Sequence, residues 1–271
     1  MTICQAGPRI IASEDADVSD AVAAAFREDG IAIYQGFGAI EQIDPVSDGV
    51  VVRLGDGLHT ALETAIVVCA IGWRADTNAL NLQQAGVETN ARGFIEVDDS
   101  LHTSAPHVYA AGDAIGRSML VPSAVRDGFI AGNNAAGTER LTLPGGPEPI
   151  GSFTDPEYAK VGMTEDQALE KHDVVVSRAS YAETTRPIID ARTRGFCKLV
   201  INRSTHQLLG CHIVGERAVE VAQMAAIVMA AGMTVDTLAR VPLSFPTYAN
   251  VLGRAALRAV RNLGVNPSID L

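Results

Sequence analysis

The sequence predicts a mixed fold, in which an α/β part is followed by an α+β part with an antiparallel sheet. Three observations support this prediction. Short apolar segments alternate with turns in the first half, a segment rich in proline and glycine follows at 142–149, and a hairpin pattern with two long helical patterns lies beyond it. The composition is that of a folded chain, because 47% of the 271 residues are hydrophobic and 20% are charged.

The first part begins with a short apolar strand and a turn in residues 1–10. Residues 16–29 predict a helix, because apolar residues recur there at helical spacing and Gly30 supplies a stop. Residues 31–72 then alternate short strands with turns. The last of these strands, residues 65–70, is continuously apolar, and we expect it to be buried on both faces.

The remaining elements are predicted mainly by helical patterns. One of them is apolar on every side, which is typical of a helix buried in a core or in a subunit interface. The predicted elements are a helix over 120–136, a capped helix from Thr164, a hairpin over 195–215, the apolar helix over 216–232 and a final helix over 247–262.

Charge and hydropathy exclude several classes of partner. A formal net charge of −11 argues against nucleic acid and against an anionic membrane surface, since both need clustered lysine and arginine. No apolar run approaches the roughly 20 residues that span a bilayer. The first residues carry no secretory signal pattern, so we expect a cytoplasmic protein.

The four cysteines predict neither a metal site nor a local redox pair. Cys4, Cys69, Cys197 and Cys211 include no C-x-x-C spacing and no close pair. For Cys4, Cys69 and Cys197, which have apolar or strand-like neighbours, we expect buried and unreactive thiols.

The stretch TSAPHVYAAGDAIG, residues 103–116, is the first that resembles a known family. It resembles the second flavin motif of the FAD-dependent pyridine nucleotide–disulfide oxidoreductases, which include dihydrolipoyl dehydrogenase, glutathione reductase and mercuric reductase. The resemblance implies that Asp113 accepts a hydrogen bond from a ribityl hydroxyl of FAD. Gly112 would allow the backbone to approach the ligand.

Two further segments are similar to flavin-binding parts of the same family. MLVPSAVRDG, residues 119–128, matches the segment whose helix start contacts the isoalloxazine, which implies roles for Met119, Leu120 and Val121. VVCAIGWRAD, residues 67–76, resembles the segment where the chain returns from the NAD domain to the FAD domain. Gly72 matches the motif glycine of that segment, whereas Ile71 and Ala75 depart from its usual residues.

Residues 153–168 and 195–215 are similar to the interface domain of the family. The resemblance implies an incomplete FAD/NAD(P)-binding, Rossmann-like part followed by an α+β dimerisation domain. The domains expected are a partial NAD(P)-binding domain at 1–72, the returning segment of the FAD domain at 73–147, and a dimerisation domain at 148–271 that forms a homodimer.

Three family motifs have no counterpart in these 271 residues. There is no G-x-G-x-x-G fingerprint for FAD, no C-x-x-x-x-C redox pair and no second glycine fingerprint for NAD(P). The sequence starts where the second strand of the NAD domain is expected, and Gln5 falls where the family often has an acidic residue for the ribose. We therefore expect a weak or partial FAD site and an incomplete NAD(P) site.

The stretch VPLSFPTYANVLGRAA, residues 241–256, matches a family segment that carries a His-Glu acid/base dyad. Alignment on Pro246 and Thr247 places Phe245 at the histidine position and Asn250 at the glutamate position. Phenylalanine cannot transfer a proton, and asparagine cannot orient an imidazolium as a carboxylate does. We expect no catalytic residue here.

Three functional interpretations follow. The first is a truncated or split FAD/NAD(P)-linked oxidoreductase that is inactive alone. The second is a non-enzymatic dimerisation or interaction protein, and the third is a flavin-dependent non-thiol reductase completed by a separate N-terminal chain. The remaining ionisable candidates are expected to have packing or surface roles: His59, His102, His107, His172, His206, His212, Glu216 and Glu220.

Overall fold

The computed structural model describes residues 1–58, 60–137 and 140–265. The packing role expected for His59 therefore lies outside the described residues. The chain forms two compact units, one made of Met1–Val67 with Pro147–Leu271 and the other of Val68–Gly146. The first 67 residues thus belong to the same unit as the C-terminal segment, with which they pack.

The chain begins with a strand–helix–strand segment. Strand β1 (Thr2–Gln5) pairs in parallel with β2 (Ala32–Gln35), and helix α1 (Ala16–Glu28) connects them. Helix α1 was predicted from its spacing, and it buries Val18 and Val22. A parallel pair needs a crossover of this kind, because its strands run in the same direction.

A three-stranded antiparallel sheet follows in residues 40–64. It contains β3 (Ile40–Val46), β4 (Gly49–Leu54) and β5 (Ala61–Thr64). The strand predicted at 65–70 is wrong. Ile66 and Val68 are exposed, and among the described residues no strand pairs with this segment. An apolar sequence favours burial only where a neighbouring strand or helix covers it.

The second unit contains little regular structure besides one helix. Its helix α2 (Val121–Ala135) agrees with the predicted 120–136 helix. Helix α2 contributes to a buried cluster of Leu101, Ile115, Ile130 and Ala131, and a second cluster contains Val87, Ile95 and Ala105. Short 3-10 turns lie at Asn78–Leu80, Leu82–Ala85 and Gly112–Ile115.

A five-stranded antiparallel sheet dominates the C-terminal segment, which confirms the predicted fold class. The elements are β6 (Ile150–Ser152), β7 (Tyr158–Gly162), α3 (Glu165–Leu169), β8 (Val174–Ser180), α4 (Thr185–Ile189), β9 (Phe196–Asn202), β10 (Leu208–Val214), α5 (Ala218–Ala230), α6 (Val235–Ala239) and α7 (Asn250–Asn262). The strand order of the sheet is β6-β7-β10-β9-β8, and the predicted hairpin is formed by β9 and β10.

The two faces of this sheet are covered by different helices. Helices α5, α6 and α7 share one large core with alternate sheet residues such as Leu199 and Ile213. Helix α1 packs on the opposite face, where Phe196 and Val214 contact its apolar side. Because successive side chains of a strand point to opposite faces, one strand serves both cores.

Helix α5 is the apolar helix predicted over 216–232. Within this chain it buries only one side, because Ile227 is exposed while Ala225 and Ala226 are buried. The exposed side is therefore free to meet another surface. No helix within the described residues is long and apolar enough to cross a membrane.

Candidate functional site

The predicted flavin motif forms a tight turn against α2. Gly112 has a φ of +67°, and a Cβ atom placed on it would lie 3.2 Å from the Cβ of Ala124. Glycine is therefore required both by the backbone conformation and by the close approach of the helix. The side chain of Asp113 is exposed at the start of this turn.

The second glycine of the turn packs on an aromatic ring. Gly116 has a φ of +67°, and a Cβ on it would lie 2.5 Å from Cγ of Phe94. Phe94 is buried and belongs to the same unit. The Gly-Asp turn is thus fixed in position by contacts on both of its sides.

The predicted residues Met119, Leu120 and Val121 lie at the beginning of α2. Leu120 is the N-cap residue, and its side chain makes no capping hydrogen bond. The first N–H groups of a helix have no partner inside the helix, so they are available to an acceptor. Pro122 has no N–H and Ala124 N donates to Leu120 O, so Val121 N–H is the candidate donor. The exposed carboxylate of Asp113 is an acceptor for a ribityl hydroxyl, and the Val121 N–H is a donor for a flavin carbonyl.

Gly72 lies in a different part of the second unit. Its φ is +129°, and it borders an open cavity of about 560 Å³. None of the other predicted flavin-site residues lines that cavity, whose lining is Ile71, Gly72, Trp73, Arg74, Ala91 and Arg92.

The loop that carries the two altered dyad positions is held together by Asn250. The Asn250 side chain accepts a hydrogen bond from Thr247 N at 2.9 Å and donates one from Nδ2 to Ser244 O at 3.3 Å. Phe245, in contrast, is 73% exposed. Asn250 is therefore occupied in stabilising the loop, and Phe245 projects from it.

Next to this loop lies a tyrosine–carboxylate pair that the sequence did not indicate. Tyr248 Oη donates to Asp190 Oδ2 at 2.7 Å, and Arg186 Nε donates to the same oxygen at 2.7 Å. Partial burial and the bond to Asp190 raise the pKa of Tyr248 to about 12. These residues line a cavity of about 270 Å³ together with Arg217. Arg186 and Asp190 are four residues apart, but no local spacing connects them with Tyr248, so only the three-dimensional arrangement identifies the pair.

The sequence also gave no indication of a row of basic residues across the five-stranded sheet. Lys160, His212, Lys198 and Arg178 lie directly opposite one another on β7, β10, β9 and β8. We call these four residues the basic row. The row faces three acidic residues around the start of α1, namely Glu14, Asp15 and Asp17. We call these three residues the acid segment.

Lys198 is the centre of this contact. Its Nζ lies 2.8 Å from Asp15, 2.7 Å from Asp17 and 3.3 Å from Glu165, while its side chain is 3% exposed. A buried ammonium is tolerated only when it is paired and hydrogen-bonded, as it is here. The signal in the sequence is a lysine inside the apolar strand FCKLVIN.

The cysteine expectations are partly wrong. Cys197 and Cys211 are buried, with their Sγ atoms 3.9 Å apart, but Cys4 and Cys69 are exposed. Cys4 lies on β1, which has a single neighbouring strand, and Cys69 lies in the segment that forms no strand. Within the described part of the chain, no group of histidine, cysteine, aspartate and glutamate side chains is arranged to hold a metal ion.

Two family models match this architecture. The model of the pyridine nucleotide–disulphide oxidoreductases matches residues 1–128, and that of the pyridine nucleotide–disulphide oxidoreductase dimerisation domain matches residues 149–256. These models cover both the flavin motif and the five-stranded sheet. The chain belongs to the pyridine nucleotide–disulphide oxidoreductase family.

Individual relatives agree with this assignment. Mercuric reductase from Staphylococcus aureus is 32% identical over 95% of this chain and 47% of its own length. Soluble pyridine nucleotide transhydrogenase from Yersinia enterocolitica is 32% identical over 94% of this chain and 55% of its own length. The chain thus spans about half the length of these relatives.

A solved structure shows the same fold. The HOCl-induced flavoprotein disulfide reductase RclA from Escherichia coli superposes with a TM-score of 0.88 and 27% identity, over 94% of this chain and 58% of that one.

Proposed function

We propose that this chain is the part of a flavin-dependent NAD(P)H oxidoreductase that completes the flavin site and forms the dimer, and that it does not turn over alone. The domains we assign to it are a partial NAD(P)-binding domain at 1–72, a returning FAD segment at 73–147 and a dimerisation domain at 148–271. The cytoplasm is the compartment we propose, supported by a transhydrogenase relative that is described as soluble.

The observation that carries this proposal is an uncovered apolar stripe on α2, directly after the flavin motif. Val121, Val125 and Phe129 are 77%, 68% and 70% exposed and lie one turn apart along the helix. The opposite side of α2 is already buried in the core of the second unit. A helix with apolar residues on both sides is typical of a position between two layers. The exposed stripe therefore supports the proposal that a further polypeptide layer covers the flavin motif.

The flavin site that this chain offers is one-sided. Asp113 would accept a hydrogen bond from a ribityl hydroxyl, and the backbone N–H of Val121 would donate to a ring carbonyl. When bound, FAD supplies the hydride chemistry. We propose that residues from the further layer are needed for tight binding, so the isolated chain holds FAD weakly.

The loop at 244–250 lacks the groups that would assist thiol chemistry. Phe245 has no ionisable group, and Asn250 uses both ends of its amide within its own loop. We propose that an enzyme built with this chain is a non-thiol flavin reductase.

Absorbance spectra of the purified chain with added FAD test the proposal. We expect little yellow colour after extensive dialysis and no oxidation of NADH or NADPH. Asp113→Asn should weaken the remaining FAD binding, whereas Asp99→Asn, which changes an exposed acid outside the turn, should not. Stoichiometric FAD with NAD(P)H oxidation by the chain alone would refute the claim of inactivity.

A second candidate function is a non-enzymatic dimerisation protein. Exposed apolar residues on α4 and α5, namely Ile188, Ile189 and Ile227, favour an interface with a second copy. Sedimentation at micromolar concentration separates the two candidates when it is combined with the FAD titration. A dimer that never binds FAD supports the second candidate, and a stable monomer contradicts it.

A further inference from the structure

His212 is the one member of the basic row that has no permanent charge. Its side chain is fully buried, and its neighbours on the adjacent strands are Lys160 and Lys198. Nε2 lies 2.8 Å from Met163 O, so Nε2 carries the proton because a carbonyl oxygen only accepts. Nδ1 is buried without a hydrogen-bond partner. The ring is therefore held in the neutral state.

A second proton on His212 would have no acceptor. The new Nδ1–H would be a buried donor without a hydrogen-bond partner, which disfavours the charged ring. Asp15 favours the protonated ring, because its negatively charged Oδ2 lies 3.5 Å from Nε2. Glu14 and Glu165 lie farther along the contact between the acid segment and the basic row. Burial outweighs this attraction and lowers the pKa of His212 below its ordinary value.

The acid segment is part of what covers His212 on this face of the sheet. Glu14 pairs with Lys160 at 2.8 Å, and Asp17 lies 3.6 Å from Arg178 at the other end of the row. Glu165 N also donates to Asp15, which connects the start of α3 to the same cluster. If the acid segment moved away, water could reach the ring and would offer the acceptor that a protonated Nδ1 lacks in the closed arrangement.

We propose that the acid segment and α1 form a pH-sensitive flap, which is closed over the basic row while His212 is neutral and opens when His212 takes up a second proton. Opening exposes the apolar contacts of Val18 and Val22 with Phe196, which otherwise hold α1 on the sheet. These contacts make the flap a packed element that opens locally, rather than a loose terminus. Helices α5, α6 and α7 lie on the other face of the sheet and stay packed against it.

Hydrogen exchange followed by mass spectrometry on the full 271-residue chain tests this proposal. We compare about pH 5 with about pH 8 after correcting for the intrinsic exchange rates. Amides of residues 14–28 should become roughly tenfold less protected at the lower pH, while those of α7 stay unchanged. Equal loss of protection in α7 would show global unfolding and would overturn the proposal.

The variant His212→Gln keeps a side-chain N–H for Met163 O but does not titrate. It should remove the pH dependence of residues 14–28, whereas His107→Gln, at an exposed site in the second unit, should retain it. If His212→Gln does not fold, the NMR titration of the His212 ring in the unmodified chain replaces it. Ring protonation without a change of exchange in residues 14–28 would overturn the proposal, as would a pH dependence that survives in a folded His212→Gln chain.

Discussion

Lys198 Nζ lies 2.8 Å from Asp15 Oδ2, and the two side chains are only 3% and 5% exposed. The lysine comes from β9, the first strand of the hairpin, and the aspartate immediately precedes α1. This ion pair therefore connects the first residues of the chain to the C-terminal sheet. It explains in part why Met1–Val67 and Pro147–Leu271 form one compact unit.

Replacing the buried lysine should be strongly destabilising. We expect Lys198→Met to lower the free energy of unfolding by about 3 kcal/mol, because three carboxylates then lose a buried cation. Urea denaturation followed by circular dichroism measures the change. The control Lys171→Met, at an exposed position, should stay within about 0.5 kcal/mol of the unmodified chain. Equal effects of the two variants would show that the ion pairs contribute nothing specific.

Glycine positions in the second unit give a matched pair of variants. Gly116 and Gly86 both have positive φ, +67° and +71°, but only Gly116 packs on Phe94. We expect Gly86→Ala to cost about 1 kcal/mol through backbone strain. Gly116→Ala should cost about 3 kcal/mol, because the ring of Phe94 must also move. Urea denaturation followed by circular dichroism compares the two losses of stability. Equal losses of stability in the two variants would mean that the ring of Phe94 moves aside without an energetic cost.

The contrast between these sites shows what the sequence could predict. The helices at 16–28 and 121–135, the hairpin and the Gly-Asp turn were predictable, since each depends on a local pattern. The pairing of Lys198 with Asp15 was not, because it depends on the side of the sheet on which α1 packs. Residues 65–70 were wrongly assigned for the same reason, since burial of a strand needs a neighbour that local sequence does not reveal. In the candidate site, the glycines were predictable, but Tyr248 and Asp190 were not.

Tyr248 should titrate at unusually high pH. Its pKa is raised to about 12 from an ordinary value of about 10, through partial burial and its bond to Asp190. Because the folded-state pKa is the higher one, the stabilisation is complete below about pH 10 and is lost as the pH rises through about 12. A spectrophotometric titration should show this phenolate step. Tyr248→Phe should remove the step, and Tyr34→Phe should leave it in place.

The variant Asp190→Asn tests the cause of that shift. It removes the negative charge beside the phenol, so the step should move towards pH 10, about the ordinary value. A step that remains near 12 in Asp190→Asn would show that burial alone is responsible. Tyr248→Phe should also cost about 1 kcal/mol of stability near neutral pH, through the lost hydrogen bond.

The loop at 244–250 should depend on Asn250 and not on Phe245. Asn250→Ala removes both the bond from Thr247 N and the bond to Ser244 O, and should lower the free energy of unfolding by about 2 kcal/mol. Asn250→Asp keeps the acceptor but loses the donor, so we expect the free energy of unfolding to fall by about 1 kcal/mol. Phe245→Ala should change stability by no more than about 0.5 kcal/mol, since this side chain is largely exposed. Urea denaturation of the three variants in parallel ranks these effects. A loss in Phe245→Ala as large as that in Asn250→Ala would mean that the aromatic ring, and not the asparagine amide, fixes the conformation of the loop.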